Sequence, residues 1–366
     1  MSTDNRSPIH AIQERHGATF TEEEGGWFWS DNFGNVDAEF EAIRNTASMW
    51  DVFALQKWDV TGADAARAAQ RLFTNNLSTL VPGQVRYGAI VDESGLMLDD
   101  GTIFKLADDH WWVFTNSPDY ADSLAAVAGD LDYNIENRTL NMPVLSIQGP
   151  KSREILQGLT DANLSEIRYF RFLLAPVDVA GFPVRVLRTG FSGELGFELI
   201  PRREDAEALW LALVAAGVTP VGTDAVQIAR IESGLIIMES DYFVGKTSPY
   251  DVSLDKMIAL DGDLDFVGKD ALRKVATNPP NRFKTLRIAG DVVPEDGAAV
   301  LKNGEPIGTV TSPAASPTFG VLGLAVLRSE FAKDGEVVDV ALPNGTTTAS
   351  VTLLSIHDPD KRKARS

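Results

Sequence analysis

The sequence contains no cysteine and only four histidines. Without cysteine there can be no disulfide bond, thiolate nucleophile, cysteine-ligated zinc or iron–sulfur cluster. No two histidines stand at HxH or HxxxH spacing, so no metal site is predicted, although spacing alone leaves an oxygen-ligand site open. Because cysteine-free chains suit a reducing compartment, we expect a cytoplasmic protein. The histidines are His10, His16, His110 and His357.

Positive charge is also scarce, with 33 basic against 52 acidic residues and a net charge of -19. Such an excess opposes binding to nucleic-acid phosphates and to anionic membranes. No apolar run is long enough to cross a bilayer, and the N-terminal stretch MSTDNRSPIH is too polar for a signal peptide. We therefore predict no nucleic-acid partner and no membrane partner.

The chain is long enough for two or three domains, since it has 366 residues of which 44% are hydrophobic. Two adjacent prolines within residues 278–281 predict a boundary. The short strands and turns beyond them indicate an all-β module, a small barrel or a jelly roll. We predict an α/β region over residues 1–278 and a barrel over residues 282–358, followed by a frayed basic tail.

The α/β region contains an internal repeat. Residues 57–73 and residues 144–159 each read as a strand, a glycine-containing turn and a helix. Neither turn has the glycine pattern of a phosphate loop. The repeat predicts two related α/β subdomains.

A hairpin over residues 88–106 carries two adjacent carboxylates in its second strand, Asp99 and Asp100. Two-residue alternation places Asp100 on the apolar face, with Leu98 and Phe104. A carboxylate there is costly unless it is paired or used, and burial would raise its pKa towards neutrality. Asp100 is thus a candidate acid/base residue, and a turn cap or a local ion pair is the alternative.

Two further stretches could face a ligand. Trp27 and Trp29 follow an acidic run, and such aromatics either anchor a core or wall a pocket for a flat ligand. The loop over residues 189–196 holds three glycines, which permit positive φ angles and close approach to a ligand. Glu194 lies between two of these glycines. The alternative for this loop is an ordinary glycine-rich hairpin.

The loop belongs to the most specific motif in the chain, RTGFSGELGFE over residues 188–198. Further motifs follow a shared order: GLMLDD (95–100), VFTN (113–116), QGP (148–150), DFVGK (265–269) and TSPAASPT (311–318). Together they resemble the aminomethyltransferase family, which comprises the glycine cleavage T-protein and its folate-dependent relatives. The resemblance covers nearly the whole chain.

The resemblance implies an α+β fold, a ring of three subdomains around a central folate channel, with a C-terminal β-barrel. It implies tetrahydrofolate as the cofactor and Asp100 as the residue that assists proton movement during one-carbon transfer. It also implies that Glu194 binds the pterin ring, because one carboxylate can accept two adjacent N–H groups. The residues implied to contact folate are Tyr87, Asp100, Asn116, Phe191 and Glu194.

The chain departs from the family where the other substrate is expected. Val226 and Gln227 stand where the glycine cleavage enzyme has Arg and Asp, and residues 50–55 (WDVFAL) replace F-D-V-S-H-M. We therefore predict a methyltransferase, acting as a demethylase, that moves a methyl group from a small O-, S- or N-methylated donor to tetrahydrofolate. Aromatic faces suit a methylated cation, although each aromatic residue could instead belong to the core. The predicted donor-binding residues are Trp27, Trp29, Phe53 and Tyr242.

Two alternatives remain. A true glycine cleavage T-protein would take an aminomethyl group from a lipoyl carrier protein, and the missing Arg at position 226 argues against it. A non-catalytic folate-binding protein, like the family's iron–sulfur-assembly branch, would be expected to carry the motif K-G-C-Y-x-G-Q-E, which needs a cysteine that this chain lacks.

Overall fold

The computed structural model describes residues 5–23 and 25–366. The predicted polar N-terminal stretch therefore lies partly outside the described residues, since it includes residues 1–4. The α-helices are α1 His10–Arg15, α2 Val36–Asn45, α3 Ala65–Leu72, α4 Tyr120–Ala128, α5 Ser152–Gln157, α6 Ala206–Ala215, α7 Thr223–Glu232, α8 Lys269–Val275 and α9 Arg362–Arg365.

The β-strands, in chain order, are β1 Phe20–Glu23, β2 Trp27–Ser30, β3 Ser48–Asp51, β4 Gln56–Thr61, β5 Gln84–Val91, β6 Met97–Ala107, β7 His110–Thr115, β8 Asn134–Asn137, β9 Leu145–Gln148, β10 Val177–Val179, β11 Phe182–Leu187, β12 Gly196–Pro201, β13 Thr219–Pro220, β14 Asn281–Ile288, β15 Ala299–Lys302, β16 Glu305–Ser316, β17 Gly320–Arg328, β18 Val337–Leu342 and β19 Gly345–Thr352.

Two sheets form the α/β part of the chain. One has five antiparallel strands in the order β5-β6-β7-β4-β8. The other is mixed, with six strands in the order β10-β11-β12-β9-β3-β13, of which β13 runs parallel to β3. The two copies of the predicted strand-turn-helix repeat fall in different sheets, as β4 with α3 and β9 with α5. Each sheet has a separate hydrophobic core against its own helices.

The last six strands close into a barrel in the order β14-β17-β16-β15-β18-β19, with β14 paired to both β17 and β19. Alternate side chains point inwards and form a core of aliphatic residues. The expected α+β fold with a C-terminal β-barrel is thereby confirmed.

A cavity of about 2090 Å³ lies where the two sheets, α7 and the barrel meet. Helix α7 packs between α2 and the barrel strands β16 and β17. At its start, the amide of Asp224 donates to the carbonyl of Asp31, and at its end the carbonyl of Glu232 accepts from the amide of His357. With ten residues, α7 spans about 15 Å, so it runs from the β1–β2 hairpin towards the C-terminal segment.

The C-terminal segment is not frayed, so this prediction was wrong. Residues 362–365 form α9, and His357 and Lys363 both contact the buried carboxylate of Glu194. The buried Arg188 guanidinium donates to the carbonyl of Ser366 at 2.8 Å. Composition suggested solvated charge, but these basic side chains have acidic and carbonyl partners in the folded protein.

Candidate functional site

The hairpin β5–β6 places Asp100 on the cavity wall. Its Oδ2 accepts a hydrogen bond from the hydroxyl of Tyr87 at 2.8 Å, and its Oδ1 accepts from the hydroxyl of Tyr242 at 2.5 Å. The amide of Asn116, at the end of β7, donates to Oδ1 at 3.1 Å. Both carboxylate oxygens therefore have donors from two sides, which fixes the orientation of Asp100 towards the cavity.

The alternation of β6 predicted Asp100, and not Asp99, on the apolar face, and this prediction was wrong. The face of β6 that packs into the interior carries Met97, Asp99 and Ile103, and Asp99 is only 4% exposed. The opposite face of β6, which carries Asp100 and Thr102, lines the cavity instead of packing into the interior. One face of β6 packs against other side chains and the other face lines the cavity. Alternation in the sequence alone does not tell which face is which.

Asp99 is held by backbone and side-chain N–H groups. Its carboxylate accepts from the amides of Asp100 (2.7 Å) and Ser117 (2.8 Å) and from the side chain of Asn116 (2.7 Å). Burial, and then the neighbouring Asp100 carboxylate, raise the pKa of Asp99 to about 7. Burial also raises the pKa of Asp100. The adjacent carboxylates therefore form a coupled pair that can hold a proton near neutral pH.

Both tyrosines remain hydrogen-bond donors. Burial, followed by the charge of Asp100, raises the pKa of Tyr87 and of Tyr242 well above the usual value for a phenol. Tyr87 lines the cavity, whereas Tyr242 is wholly buried behind Asp100. Tyr242, proposed from sequence for the donor pocket, thus supports the carboxylate from behind. The sequence does not show this contact, because it joins positions 142 residues apart.

Glu194 does not line this cavity. The carboxylate is 4% exposed, and its Oε1 lies 2.5 Å from His357 Nε2, 3.2 Å from Arg44 and 3.4 Å from Lys363. Although burial opposes ionisation, the His357 hydrogen bond and the Arg44 charge lower the pKa of Glu194. Arg44 also pairs with Glu232 at 2.7 Å. Glu194 therefore joins the loop, α2, α7 and the C-terminal segment.

The second glutamate of the same motif, Glu198, does line the cavity. It lies on β12 in the apolar run GFELIP and accepts a short hydrogen bond from the hydroxyl of Thr189. Burial raises the pKa of Glu198, against the Thr189 bond and the Lys57 charge. Sequence reasoning missed it. A carboxylate inside an apolar strand was the same signal that pointed to Asp100.

An aromatic wall stands on the side of the β1–β2 hairpin. Trp29 and Trp50 are stacked with ring centroids 5.3 Å apart, and Phe191 lies near-parallel to Trp50 at 6.4 Å. These rings and Trp27 line the cavity. Phe53 is 2% exposed and packs against Trp27 from behind, with ring centroids 5.9 Å apart. The structure thus brings three of the predicted aromatics to the cavity and places Phe53 in the core.

Helix α7 contributes Val226 and Gln227 to the wall. Gln227 Oε1 accepts from Arg230 Nε at 2.6 Å, and Val226 belongs to the hydrophobic cluster that includes Trp50. An apolar side chain therefore occupies the position where the resemblance expects an arginine. This leaves the α7 wall of the cavity without that cation.

The two ends of the cavity differ in charge. Around the hairpin and the start of α7 the lining carboxylates include Asp31 and Asp224. Around the barrel and the C-terminal segment the lining is mainly basic, because Asp255, which pairs with Arg282 at 2.7 Å, is outnumbered by cations. The cations there are Lys256, Arg282, Lys284, Lys361 and Arg365. An elongated ligand with an anionic end would thus be oriented by this gradient.

No group of three or more metal-ligating side chains occurs among residues 5–23 and 25–366. None of the helices in the described part of the chain is long and apolar enough to cross a membrane.

Comparison with known proteins agrees with this architecture. Residues 9–262 match the family described as GCVT N-terminal domain, and residues 281–358 match the glycine cleavage T-protein C-terminal barrel domain. The chain is similar to an aminomethyltransferase of Geobacillus sp. (strain WCH70), with 33% identity over 94% of this chain and 96% of the relative. It is also similar to the aminomethyltransferase of Bacillus subtilis (strain 168), at 31% over 94% and 97%.

A solved structure shares the fold. The glycine cleavage system aminomethyltransferase T from Bartonella henselae superposes with a TM-score of 0.86 at 23% identity, over 96% of this chain and 98% of that one. The expected membership and enzyme class are confirmed: the chain belongs to the aminomethyltransferase (glycine cleavage T-protein) family of one-carbon-transferring enzymes.

Proposed function

We propose that this protein transfers a methyl group from a small methylated donor to tetrahydrofolate inside the central cavity. The observation that carries the proposal is the carboxylate of Asp100, which faces the cavity and is fixed by two tyrosine hydroxyls and an asparagine amide. Burial raises the pKa of this carboxylate, which makes it a better proton acceptor than an exposed aspartate.

The cavity suits tetrahydrofolate and a second molecule together. Its volume of about 2090 Å³ exceeds the roughly 300–1,000 Å³ typical of a pocket for one drug-sized ligand. Glu198 on the wall can accept two N–H groups from a pterin edge. The basic end, with Lys256, Arg282 and Lys361, complements the carboxylates of a glutamyl tail. Glu194 was the residue predicted for the pterin, and the geometry favours Glu198 instead.

Methyl transfer to a nitrogen leaves that nitrogen with one proton too many. Tetrahydrofolate supplies the nucleophilic N5 when bound. Asp100 accepts the N5 proton while the methyl–donor bond breaks, and the leaving group departs with the bonding electron pair. Tyr87 and Tyr242 keep their protons throughout, so they stabilise the carboxylate without competing for the transferred proton. Holding both molecules in one cavity supplies the orientation on which the rate depends.

The donor side favours a small methylated molecule over a carrier-bound aminomethyl group. Trp27, Trp29 and Phe191 offer apolar surface there, and Val226 replaces the arginine expected in the glycine cleavage enzyme. An aromatic wall binds flat ligands by stacking and methylated cations by cation–π attraction.

A second candidate is glycine cleavage aminomethyl transfer from a lipoyl carrier protein. The curated relatives are named aminomethyltransferases and match over almost their whole length, which favours this activity. It would use the same folate side of the cavity and the same Asp100.

One experiment separates the candidates. The protein is incubated with tetrahydrofolate and either a panel of O-, S- and N-methylated compounds or aminomethyl-lipoyl carrier protein, and the products are identified by mass spectrometry. We expect 5-methyltetrahydrofolate from at least one panel compound. Methylenetetrahydrofolate from the carrier arm alone would establish the second candidate. If neither arm gives a product while folate binds, the protein is a non-catalytic folate binder.

A further inference from the structure

The C-terminal segment, residues 357–366, contributes two side chains to the cavity wall, and both are cations, Lys361 and Arg365. The neighbouring Arg362 and Lys363 pair with carboxylates of the protein. Within the described part of the chain, neither Lys361 nor Arg365 forms such an ion pair. Both wall cations can therefore bind an anionic group of a ligand.

The conformation of this segment depends on contacts with the rest of the protein. Helix α9 has only four residues, Arg362–Arg365, and so short a helix is not stable on its own in water. Lys361, just before it, has a φ of 54°, in the left-handed region that is unfavourable for residues other than glycine. The positions of the two wall cations are therefore set by whatever docks the segment.

His357 docks the segment between two carboxylates. Its side chain is 8% exposed, and Nε2 lies 2.5 Å from Oε1 of Glu194, while Nδ1 lies 4.0 Å from Oε2 of Glu232. Both glutamates are buried. Lys363 also reaches Glu194, at 3.4 Å, but its side chain is 49% exposed. Because exposed ion pairs contribute little, His357 provides the stronger side-chain contact.

The remaining contacts hold the segment only at its two ends. The amides of Ile356 and His357 both donate to the carbonyl of Glu232 at 3.0 Å, and Arg188 donates to the carbonyl of Ser366 at 2.8 Å. Between these ends, a cavity of about 40 Å³ separates the segment from the body of the protein. Tight packing therefore does not replace the His357 contact.

Resting on the folate site proposed above, we infer that His357 is a positioning residue that sets ligand specificity. It docks the C-terminal segment so that Lys361 and Arg365 face the cavity and bind the two carboxylates of a glutamyl tail. The ligand class selected in this way is a reduced pterin that carries an anionic tail.

The test compares two ligands in His357→Phe, which keeps an aromatic ring and removes both nitrogens. One ligand is 5-formyltetrahydrofolate, and the other is 5-formyltetrahydropteroate, which lacks the glutamyl residue and its two carboxylates. By calorimetry, we expect the variant to bind the first about tenfold more weakly than wild type and the second within about twofold. A merely structural role would weaken the binding of both ligands equally.

A second comparison tests whether His357 acts through the two cations. In a background that already carries Lys361→Met and Arg365→Gln, adding His357→Phe should weaken binding of 5-formyltetrahydrofolate by less than about twofold, because effects through a shared partner are not additive. A further tenfold loss in that background would contradict the inference.

His110 offers a matched control. Its Nε2 also lies 2.5 Å from a carboxylate oxygen, that of Asp59, and neither residue lines the cavity. His110→Phe should leave both affinities at the wild-type values. If His357→Phe does not fold, Lys363→Met removes the more exposed part of the same contact and should change the ratio of affinities in the same direction. Glu194→Gln keeps an oxygen that accepts from His357, so its effect on affinity is smaller.

A ligand-free measurement keeps this inference separate from the proposed function. Trypsin cleaves after Lys361, Arg362 and Lys363, but only when α9 opens. By mass spectrometry, we expect cleavage there to be about tenfold faster in His357→Phe than in wild type or His110→Phe. If wild type binds neither ligand, the proposed function is wrong, and the cleavage rates still decide whether His357 docks the segment. An unchanged cleavage rate, or an equal loss of affinity for both ligands, overturns the inference.

Discussion

Neighbouring residues of β6 have different surroundings, and their roles differ accordingly. Asp100 points into the cavity between two hydroxyl donors, whereas Asp99 is enclosed by N–H groups of the following loop. The first arrangement leaves a carboxylate on the cavity wall, and the second anchors the loop after β7. One strand thus carries the proposed proton acceptor and a structural carboxylate side by side.

Replacing Asp100 by Asn keeps the size of the side chain and removes the proton acceptor. We expect turnover of the reactive donor to fall by about 10²–10⁴-fold, with tetrahydrofolate affinity within about threefold of wild type. Single-turnover rates and calorimetry measure the two quantities. Asp119→Asn is the control, because Asp119 is an exposed carboxylate of the same cavity and should be replaceable. Full activity in Asp100→Asn would refute the proposed role.

We expect opposite effects when the two glutamates of the glycine-rich motif are replaced. Glu198→Gln should weaken tetrahydrofolate binding by about tenfold to a hundredfold, since it removes hydrogen bonds to a charged acceptor. Glu194→Gln should leave affinity within about threefold but lower the melting temperature, because Arg44 loses one of its two buried carboxylate partners. Binding calorimetry with thermal unfolding of both variants tests this. The reverse pattern would indicate that Glu194, and not Glu198, binds the pterin.

At the residue scale, the sequence pointed to Asp100 but not to Glu198. Both are carboxylates in apolar strands, and both line the cavity. Tyr242 and Phe53 were assigned to the donor pocket because they are aromatic, yet they lie behind the wall. An aromatic side chain faces a cavity or a core according to tertiary packing, which composition does not encode.

Among the secondary-structure elements, the β1–β2 hairpin separates its cavity-facing side chains from the others most clearly. Trp27 and Trp29 line the cavity, and Phe28, between them, does not. Strand alternation explains this pattern, since successive side chains point to opposite faces. The hairpin therefore turns only alternate aromatic side chains towards the cavity, on the wall that we propose for the donor.

Trp29→Leu removes the ring stacked on Trp50. Once the panel identifies a donor, we expect its KM to rise about tenfold, because stacking and apolar contact are lost, while tetrahydrofolate affinity stays unchanged. Steady-state kinetics at saturating folate measures this. Phe28→Leu, on the opposite face of the same strand, should alter neither quantity. A fall in folate affinity in Trp29→Leu would place folate on this wall.

The sequence predicts elements better than it predicts their partners. Local patterns place the hairpin β5–β6 and the two strand-turn-helix units, β4 with α3 and β9 with α5, correctly, because each has its own apolar face. They do not show that β3 and β13, whose paired residues Ser48 and Thr219 are 171 positions apart in the chain, lie side by side in one sheet. Such pairings depend on contacts distant in sequence.

In the whole molecule, the barrel is joined to the α/β part by a buried ion pair. Arg230 on α7 contacts Asp241 at 2.5 Å, with both side chains almost wholly buried. Asp241 also accepts from the hydroxyls of Thr311 and Ser312 on barrel strand β16. We therefore expect the barrel and the sheets to unfold together.

Asp241→Asn should lower the free energy of unfolding by about 3–5 kcal/mol, because it leaves the Arg230 guanidinium buried without a counter-charge. The control Asp334→Asn breaks the more exposed pair with Lys284 and should cost less than about 1 kcal/mol. Denaturant unfolding gives both values. Equal effects of the two substitutions would show that the buried pair does not couple the barrel to α7.

The position of α7 has a consequence for engineering this protein. Gln227 lines the cavity and bonds directly to Arg230, which contacts Asp241 and the barrel residue Ser312. Substitutions on α7 that aim to change donor preference will therefore also lower the stability of the whole fold. The β1–β2 hairpin faces the same space, and the hydrogen bonds that the structure describes for Arg230 and Asp241 do not involve it. Libraries for new donors should therefore begin there.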